Sequence, residues 1–316
     1  MTASPRVLVL AGGLSHERDV SLRSGRRVAE ALRGARCEVE VRDVDASLLP
    51  ALRADRPDVV WPLLHGVSGE DGAVRDVLEL LGLPYVGAVP AACRRAFDKP
   101  VAKSVVADAG LATPASVALP HSTFRELGAG ALLDALVTRH GLPLAVKPSR
   151  GGSALGVTVV TAAEQLPRAM VDCYGYGEVA LVERAVTGRE VAVSVIDTGD
   201  GARALPAVEI QPAAGGYNYD ARYTAGGTEY FVPARLDDAA AGAAAEAALV
   251  AHRCLGLRDL SRTDLIVDDE GRPWFLETNV APGMTELSLL PQALAAAGED
   301  AGEVYRALVE QAVARS

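Results

Sequence analysis

The stretch Ser261–Met284, SRTDLIVDDEGRPWFLETNVAPGM, holds the residue types best suited to chemistry in this chain. Arg262, Asp264, Glu277 and Asn279 supply carboxylates and an amide beside a guanidinium. Oxygen donors of this kind suit Mg²⁺, a hard ion that shares its shell with substrate phosphates. These side chains meet only if the segment is a β-hairpin. Apolar-rich runs at Asp259–Val267 and Pro273–Val280 flank the turn-forming cluster Asp268-Asp269-Glu270-Gly271, which is the signature of one. With Val267 paired to Arg272, Asp264 lies opposite Phe275, Arg262 opposite Glu277, and Asn279 shares their face. Leu265, Val267, Trp274 and Leu276 then point into a core. A slip of one residue would part Asp264 from Glu277 and leave the bland alternative, a solvated acidic face. The turn Ala281-Pro282-Gly283 exposes backbone N–H groups that can face a developing oxyanion.

The elements that would position this hairpin follow from periodicity. RVLVL (residues 6 to 10) reads as a buried strand, then a loop carrying Gly12, Gly13 and Glu17, then an amphipathic helix from Val20 to Leu32. Strands at Glu38–Val41 and Val59–Leu64, with helices near Leu48 and over Gly72–Leu81, continue an open parallel α/β sheet that ends near residue 95. Ligands gather beyond the carboxyl ends of such strands, where Glu17 and His65 fall; His65 also reads as an ordinary structural histidine. Gly12-Gly13 lacks the dinucleotide fingerprint. Lys99 sits in the first turn of a helix over Asp98–Ala109, where the dipole favours anions, so it is either a phosphate ligand or a solvated lysine. Lys147 closes an apolar strand just before Gly151-Gly152-Ser153, a glycine tip able to lie over phosphates and distinct from a Walker A loop. Strands at Glu178–Val182, Glu190–Ile196 and Leu205–Ile210 precede Gln211–Tyr230, a glycine- and tyrosine-rich lid candidate. An alanine-rich helix over Asp238–Leu255 leads into the hairpin, and two helices close the chain.

Composition excludes several classes. The chain of 316 residues is 49% hydrophobic and 23% charged, the balance of a multidomain globular protein. A net charge of −10 argues against nucleic-acid partners, and no run approaches a membrane span or a secretory leader. Cys37, Cys93, Cys173 and Cys254 are dispersed, which fits a reduced, cytoplasmic setting.

Taken in order, GGLSHERDVS, LLHGVSGEDG, Asp98-Lys99, KPSRGGSALG, VER-x-V with Glu190, NYDARYTAG, SRTD and FLETNVAPGMTELSLLP resemble the D-alanine–D-alanine ligase family of the ATP-grasp superfamily. The resemblance implies a mixed α/β (α+β) ATP-grasp fold: an N-terminal parallel-sheet domain (1–95), a central domain (96–181) and a C-terminal catalytic domain (182–316) with a lid at 211–230. It implies an ATP-dependent ligase that joins D-alanine to D-alanine through an acyl phosphate for peptidoglycan precursors. Asp264, Glu277 and Asn279 would bind a pair of Mg²⁺ ions, with Mn²⁺ as a substitute. Lys99, Lys147 and the backbone of Gly151, Gly152 and Ser153 would hold phosphates. Glu183, Arg184, Val186 and Glu190 would seat adenosine. Arg262 and the Gly283 N–H would form the oxyanion hole. Glu17 would take the first substrate's ammonium beside His65, and Ser288 with the Leu289 N–H the second substrate's carboxylate. Glu17, Ser153 and Tyr223 would form a triad, and Arg222 stands where the family commonly has lysine. Gly151 and Ala154 replace an acid and a serine frequent there, so the loop is less polar than usual. The family also suggests a homodimer. Competing readings are a paralogue acting on other amino or hydroxy acids in secondary metabolism, and a catalytically silent nucleotide-binding protein.

Overall fold

The structure, a computed structural model, describes residues 4–152, 154–212 and 227–315. Strand β1 (Arg6–Leu10) leads to helix α1 (Arg18–Gly34), which buries Val20, Ser24, Val28 and Leu32 at four-residue spacing and leaves Arg23, Arg26, Arg27 and Glu30 outside. Strand β2 (Glu38–Arg42), helix α2 (Leu48–Ala54), strand β3 (Val59–Pro62) and the short helices α3 (Val67–Glu70) and α4 (Ala73–Leu80) complete a parallel sheet of order β2-β1-β3. Period-two alternation sends Val7, Val9, Val59 and Trp61 to one face and Leu8, Leu10 and Val60 to the other, so both are buried.

Helix α5 (Pro90–Phe97), which periodicity did not reveal, is followed by α6 (Lys99–Asp108), whose N-terminus is capped by the Asp98 carboxylate. Strand β4 (Ser116–Pro120), helices α7 (His121–Leu127) and α8 (Ala129–His140), strands β5 (Leu144–Pro148) and β6 (Thr158–Val160), helix α9 (Leu166–Tyr174) and strand β7 (Val179–Arg184) form an antiparallel sheet of order β4-β7-β5-β6. Leu144, Val146, Leu166, Met170 and Val182 make its core.

Strands β8 (Arg189–Ile196), β9 (Arg203–Ala204), β10 (Val208–Pro212) and β11 (Thr228–Phe231), helix α10 (Asp238–Cys254), and strands β12 (Leu260–Val267) and β13 (Pro273–Asn279) build a second antiparallel sheet of order β11-β10-β8-β12-β13, with β9 on β8. Helices α11 (Leu289–Ala296) and α12 (Ala301–Ala314) follow. One face of this sheet packs on α5, α6 and α10 through Ala96, Val106, Ala248, Leu265 and Phe275. The other shares a core with β1, β3, α1, α11 and α12, where Trp61 meets Tyr305 edge-on with ring centres 5.4 Å apart. Where an irregular lid was expected, the two ends pair as strands, Ile210 opposite Tyr230 and Pro212 opposite Thr228. The intervening residues 213–226, with Arg222 and Tyr223, lie outside the described residues, as does Ser153.

The β12–β13 hairpin forms as expected, with a different register. Val267 pairs with Pro273 rather than Arg272, and Leu265 lies opposite Phe275. That one-residue slip alone would have turned Glu277 away from Asp264. A bulge between Asp264 and Leu265 supplies a second shift, so Asp264 faces Glu277, Thr263 faces Thr278 and Arg262 faces Asn279. Parity is restored and the chemical face is kept. The core assignment changes accordingly: Leu265, Val267 and Phe275 are buried, whereas Trp274 and Leu276 are only half-buried. Leu276, the extra residue, turns to the same side as Glu277.

Candidate active site

A cavity of about 400 Å³ is lined by Glu17 and His65 from the ends of β1 and β3, by Arg262, Glu277 and Asn279 from the hairpin, and by Gly283, Ser288 and Leu289 beyond it. A second, of about 220 Å³, is lined by Lys99, Lys147, Gly151, Glu183, Arg184, Val186, Glu190 and Asp264, with Ile266 and Leu276 as apolar wall. Gly152 and Glu277 line both. The described part of the expected site therefore comes together from six separate stretches of chain: Glu17, His65, Lys99, Lys147–Gly152, Glu183–Glu190 and Arg262–Leu289.

Arg262 lies 5% exposed and grips Asp264 two residues on, Nε to Oδ1 at 2.7 Å and Nη2 to Oδ2 at 2.8 Å. Across the strands Glu277 meets Lys99, Nζ to Oε2 at 3.0 Å. Burial alone would raise the Glu277 carboxyl, but Lys99 and Lys147 outweigh it and hold it down at about 2. Lys99 is buried rather than solvated, and its Nζ also donates to the Gly151 carbonyl at 2.7 Å. Helix α6 thus points a cation from its first turn at the glycine loop and at the hairpin acid together.

Glu183 is shared by two buried lysines, Lys147 on Oε1 and Lys103 on Oε2, both at 2.6 Å. Burial opposes all three charges, yet the lysines lower the Glu183 carboxyl, and Glu183 with Glu277 raises Lys147; for Lys103 burial prevails and lowers it. Lys103 was missed in the sequence, although its place one turn after Lys99 on the same helix face was a usable signal. Both oxygens of the Glu183 carboxylate are therefore engaged by lysines.

His65 is 4% exposed and held at both nitrogens, by Ser24 Oγ at 3.2 Å and by the Ala281 carbonyl at 3.0 Å. Burial, helped by Arg262, depresses it to about 4, so it is neutral. Gly66, next in sequence, has φ +73°, and a Cβ there would meet Glu17 Oε2 at 2.8 Å, so glycine is required for Glu17 to reach the cavity. Gly283 is a similar cradle, since a Cβ would stand 2.7 Å from Ser288 Oγ. Ser288 Oγ accepts the Thr285 N–H at 2.9 Å, and Ser288 and Leu289 open helix α11. Asn279 Oδ1 accepts the Ala281 N–H at 2.8 Å. A second residue missed in the sequence, the buried acid Glu70, also lines this cavity.

The donor set opposite the lysines is all oxygen: the facing carboxylates of Asp264 and Glu277 and the amide of Asn279. Among the described residues no group of three or more His, Cys, Asp or Glu side chains is placed to cage an ion. A hard ion that completes its shell with phosphate oxygens fits such a partial set.

A four-stranded and a larger antiparallel sheet, each giving side chains to one cavity with a lysine pair and an oxygen-rich hairpin, define an ATP-grasp enzyme. The family profiles "D-ala D-ala ligase C-terminus" and "D-ala D-ala ligase N-terminus" match residues 105–313 and 48–88. The chain belongs to the D-alanine–D-alanine ligase family. The D-alanine–D-alanine ligase of Anaeromyxobacter dehalogenans is 44% identical over 93% of this chain and 92% of its own length. That of Bordetella petrii is 40% identical over 98% of this chain and 93% of its own. Among solved structures, the VanG D-Ala:D-Ser ligase of Enterococcus faecalis superposes with a TM-score of 0.83 at 26% identity, covering 98% of this chain and 100% of that one. The Bacillus anthracis D-alanine–D-alanine ligase complexed with ATP gives 0.82 at 27% identity over 99% and 98%.

Proposed function

We propose that the chain uses ATP to join two D-alanine molecules, giving D-alanyl-D-alanine, ADP and phosphate for peptidoglycan precursor synthesis. The carrying observation is the placement of Glu17, His65, Arg262 and Ser288 around one cavity that shares Glu277 and Gly152 with the lysine-lined one. A carboxylate is a poor electrophile, and phosphorylation by ATP gives it a leaving group that a second amine can displace. Glu17 binds the first substrate's ammonium. Arg262 and the Gly283 N–H face the oxygen that gains charge when the amine attacks. Ser288 and the Leu289 N–H hold the second substrate's carboxylate. Lys99, Lys147 and the glycine loop orient the phosphates, and Arg184, Val186 and Glu190 line the base end. Asp264, Glu277 and Asn279 would hold Mg²⁺, which supplies charge neutralisation for the phosphates.

We place three domains near the limits 95/96 and 181/182. The first limit falls within α5 and the second within β7. A cytoplasmic homodimer is the setting we infer from the family. The likeness to a D-Ala:D-Ser ligase keeps a second reading open, in which another amino acid is the acceptor. ADP release and product mass measured over D-alanine, D-serine, L-amino acids and D-lactate decide between them. Dominant D-alanyl-D-alanine formation is expected; ADP release that no amino acid stimulates would remove the ligase reading.

A further inference from the structure

The turn that follows the hairpin, Ala281-Pro282-Gly283-Met284, puts Gly283 in the wall of the substrate cavity. Among the described residues, 282–284 make no backbone–backbone hydrogen bond that would fix the direction of the Gly283 N–H. The bonds that bracket it come from the N-terminal sheet. His65 Nδ1 lies 3.0 Å from the Ala281 carbonyl, Ser24 Oγ lies 3.2 Å from His65 Nε2, and the Met284 N–H donates to Ser24 Oγ at 3.1 Å. A carbonyl only accepts, so Nδ1 carries the ring proton; Nε2 then presents a lone pair, to which the Ser24 hydroxyl donates while it accepts from Met284. The other tautomer would set a lone pair against the Ala281 carbonyl. Ser24, His65, Ala281 and Met284 are all buried, so no water competes for these bonds. Burial also keeps the ring neutral, holding it down at about 4. The support behind them is firm: one turn earlier on α1, Ser21 Oγ donates to the Leu63 carbonyl at 2.7 Å and accepts the Gly12 N–H at 2.8 Å, pinning the helix to the ends of β3 and β1.

We propose that Ser24 and His65 are positioning residues for the ligation step, a strap that ties both ends of Pro282-Gly283 to the N-terminal sheet and so aims the Gly283 N–H into the cavity. The assignment rests on the ligase reading above, in which that N–H faces the oxygen that gains charge. With both ring nitrogens engaged inside the protein, His65 acts through the turn rather than by a hydrogen bond to substrate. Donors aimed at a developing charge stabilise the transition state only when they are held in place beforehand, and small displacements forfeit much of that effect. The strap therefore bears on the chemical step more than on the binding of D-alanine or ATP.

Ser24→Ala tests this, since alanine preserves the helix and removes only the hydroxyl that joins His65 to Met284. With Mg²⁺ present, S24A is expected to lose at least ~10-fold in kcat for D-alanine-dependent ADP release, while half-saturation by D-alanine and by ATP stays within about twofold of wild type. A phosphinate dipeptide, whose tetrahedral phosphorus carries oxygen where the charge develops, should bind more weakly by about the factor lost in kcat/KM. His65→Asn should behave alike, and the double variant should fall no more than about twofold below the worse single one, because both changes open the same strap. Ser24→Cys keeps the shape with a weaker donor and serves if S24A does not fold. A kcat within about twofold of wild type in S24A, or in S24C as the substitute, overturns the proposal, as do multiplicative losses in the double variant or an unchanged affinity for the phosphinate. A wild-type chain whose ADP release D-alanine does not stimulate would instead remove the ligase reading itself.

Discussion

Two residues apart on β12, Arg262 and Asp264 are joined by parallel hydrogen bonds of 2.7 and 2.8 Å, so both oxygens of a proposed metal ligand are held by the chain's own cation. Lys99 holds one oxygen of Glu277, with Nζ 3.0 Å from Oε2. The two proposed carboxylate ligands are thus aimed by cations before any ion arrives, and loading Mg·ATP would exchange those cations for metal. Glu277→Gln should therefore cost at least ~10²-fold in turnover, the scale expected when a ligand charge opposite the phosphates is lost. Its thermal midpoint should shift little, because Lys99 retains the Gly151 carbonyl. Near-normal ADP formation in this variant across a Mg²⁺ titration would rule the hairpin out as the metal site.

The Lys103–Glu183–Lys147 arrangement sets two positive charges against one negative. Lys103→Met leaves Lys147 fully neutralised, and the ATP concentration for half-maximal rate should rise roughly 10-fold as its hold on phosphate weakens. Adding Glu183→Gln restores the single net charge and should recover much of that loss. A double variant worse than Lys103→Met in steady-state kinetics would show that geometry, not charge balance, is what Lys103 provides.

His252 is 3% exposed, bonded to Ser261 Oγ at 2.8 Å, and burial depresses it to about 4 from 6.5; His65 behaves alike. A depressed folded-state value means the unfolded chain binds the proton more readily. The stability from each neutral histidine is present above pH 6.5 and is lost as the pH falls toward about 4. Glu70 acts with opposite sign, stabilising below 4.5 and losing that contribution as the pH rises through about 8. Differences between variants isolate each group. His252→Gln should gain on wild type by up to on the order of 3 kcal/mol as the pH drops through that window, in denaturant melts. A pH-independent difference would show that His252 is not buried in its neutral form.

Asp259 is fully buried and receives two hydrogen bonds from Arg315, both 2.7 Å, and one from the Gly87 N–H, also 2.7 Å. These tie the end of α12 to the start of β12 and to the loop between α4 and α5. Arg315→Ala leaves a buried carboxylate without its counter-charge and should destabilise the chain by about 3 kcal/mol in urea melts. Activity per folded molecule should be unchanged, and a melt matching wild type would reduce the contact to an incidental one.

The parts of the site legible in the sequence were those carried by local pattern. The hairpin turn, the lysine before the glycine loop and the strand ends bearing Glu17 and His65 follow from periodicity and turn chemistry. What escaped depends on contacts between elements distant in sequence. Lys103 has meaning only because β7 brings Glu183 beneath α6, and Glu70 only because the turn after β3 folds back beside Glu17. The register was mispredicted because the alternation of apolar residues in Pro273–Asn279 reads equally well with or without an extra residue. Helix α5 was missed since its small residues, Ala92, Cys93 and Ala96, show weak periodicity until α6 and β13 pack against them.

The bulge in β13 bears on how this site tolerates insertion and deletion. Leu276 is supernumerary to the ladder: were it removed, Phe275 would still face Leu265, Glu277 would still face Asp264, and Thr278 would still face Thr263. What would vanish is one apolar patch of the nucleotide cavity. The strand therefore separates two demands that most sheets must satisfy with one pleat: a residue can be gained or shed at this point, reshaping the cavity wall, while the acid pair stays in frame.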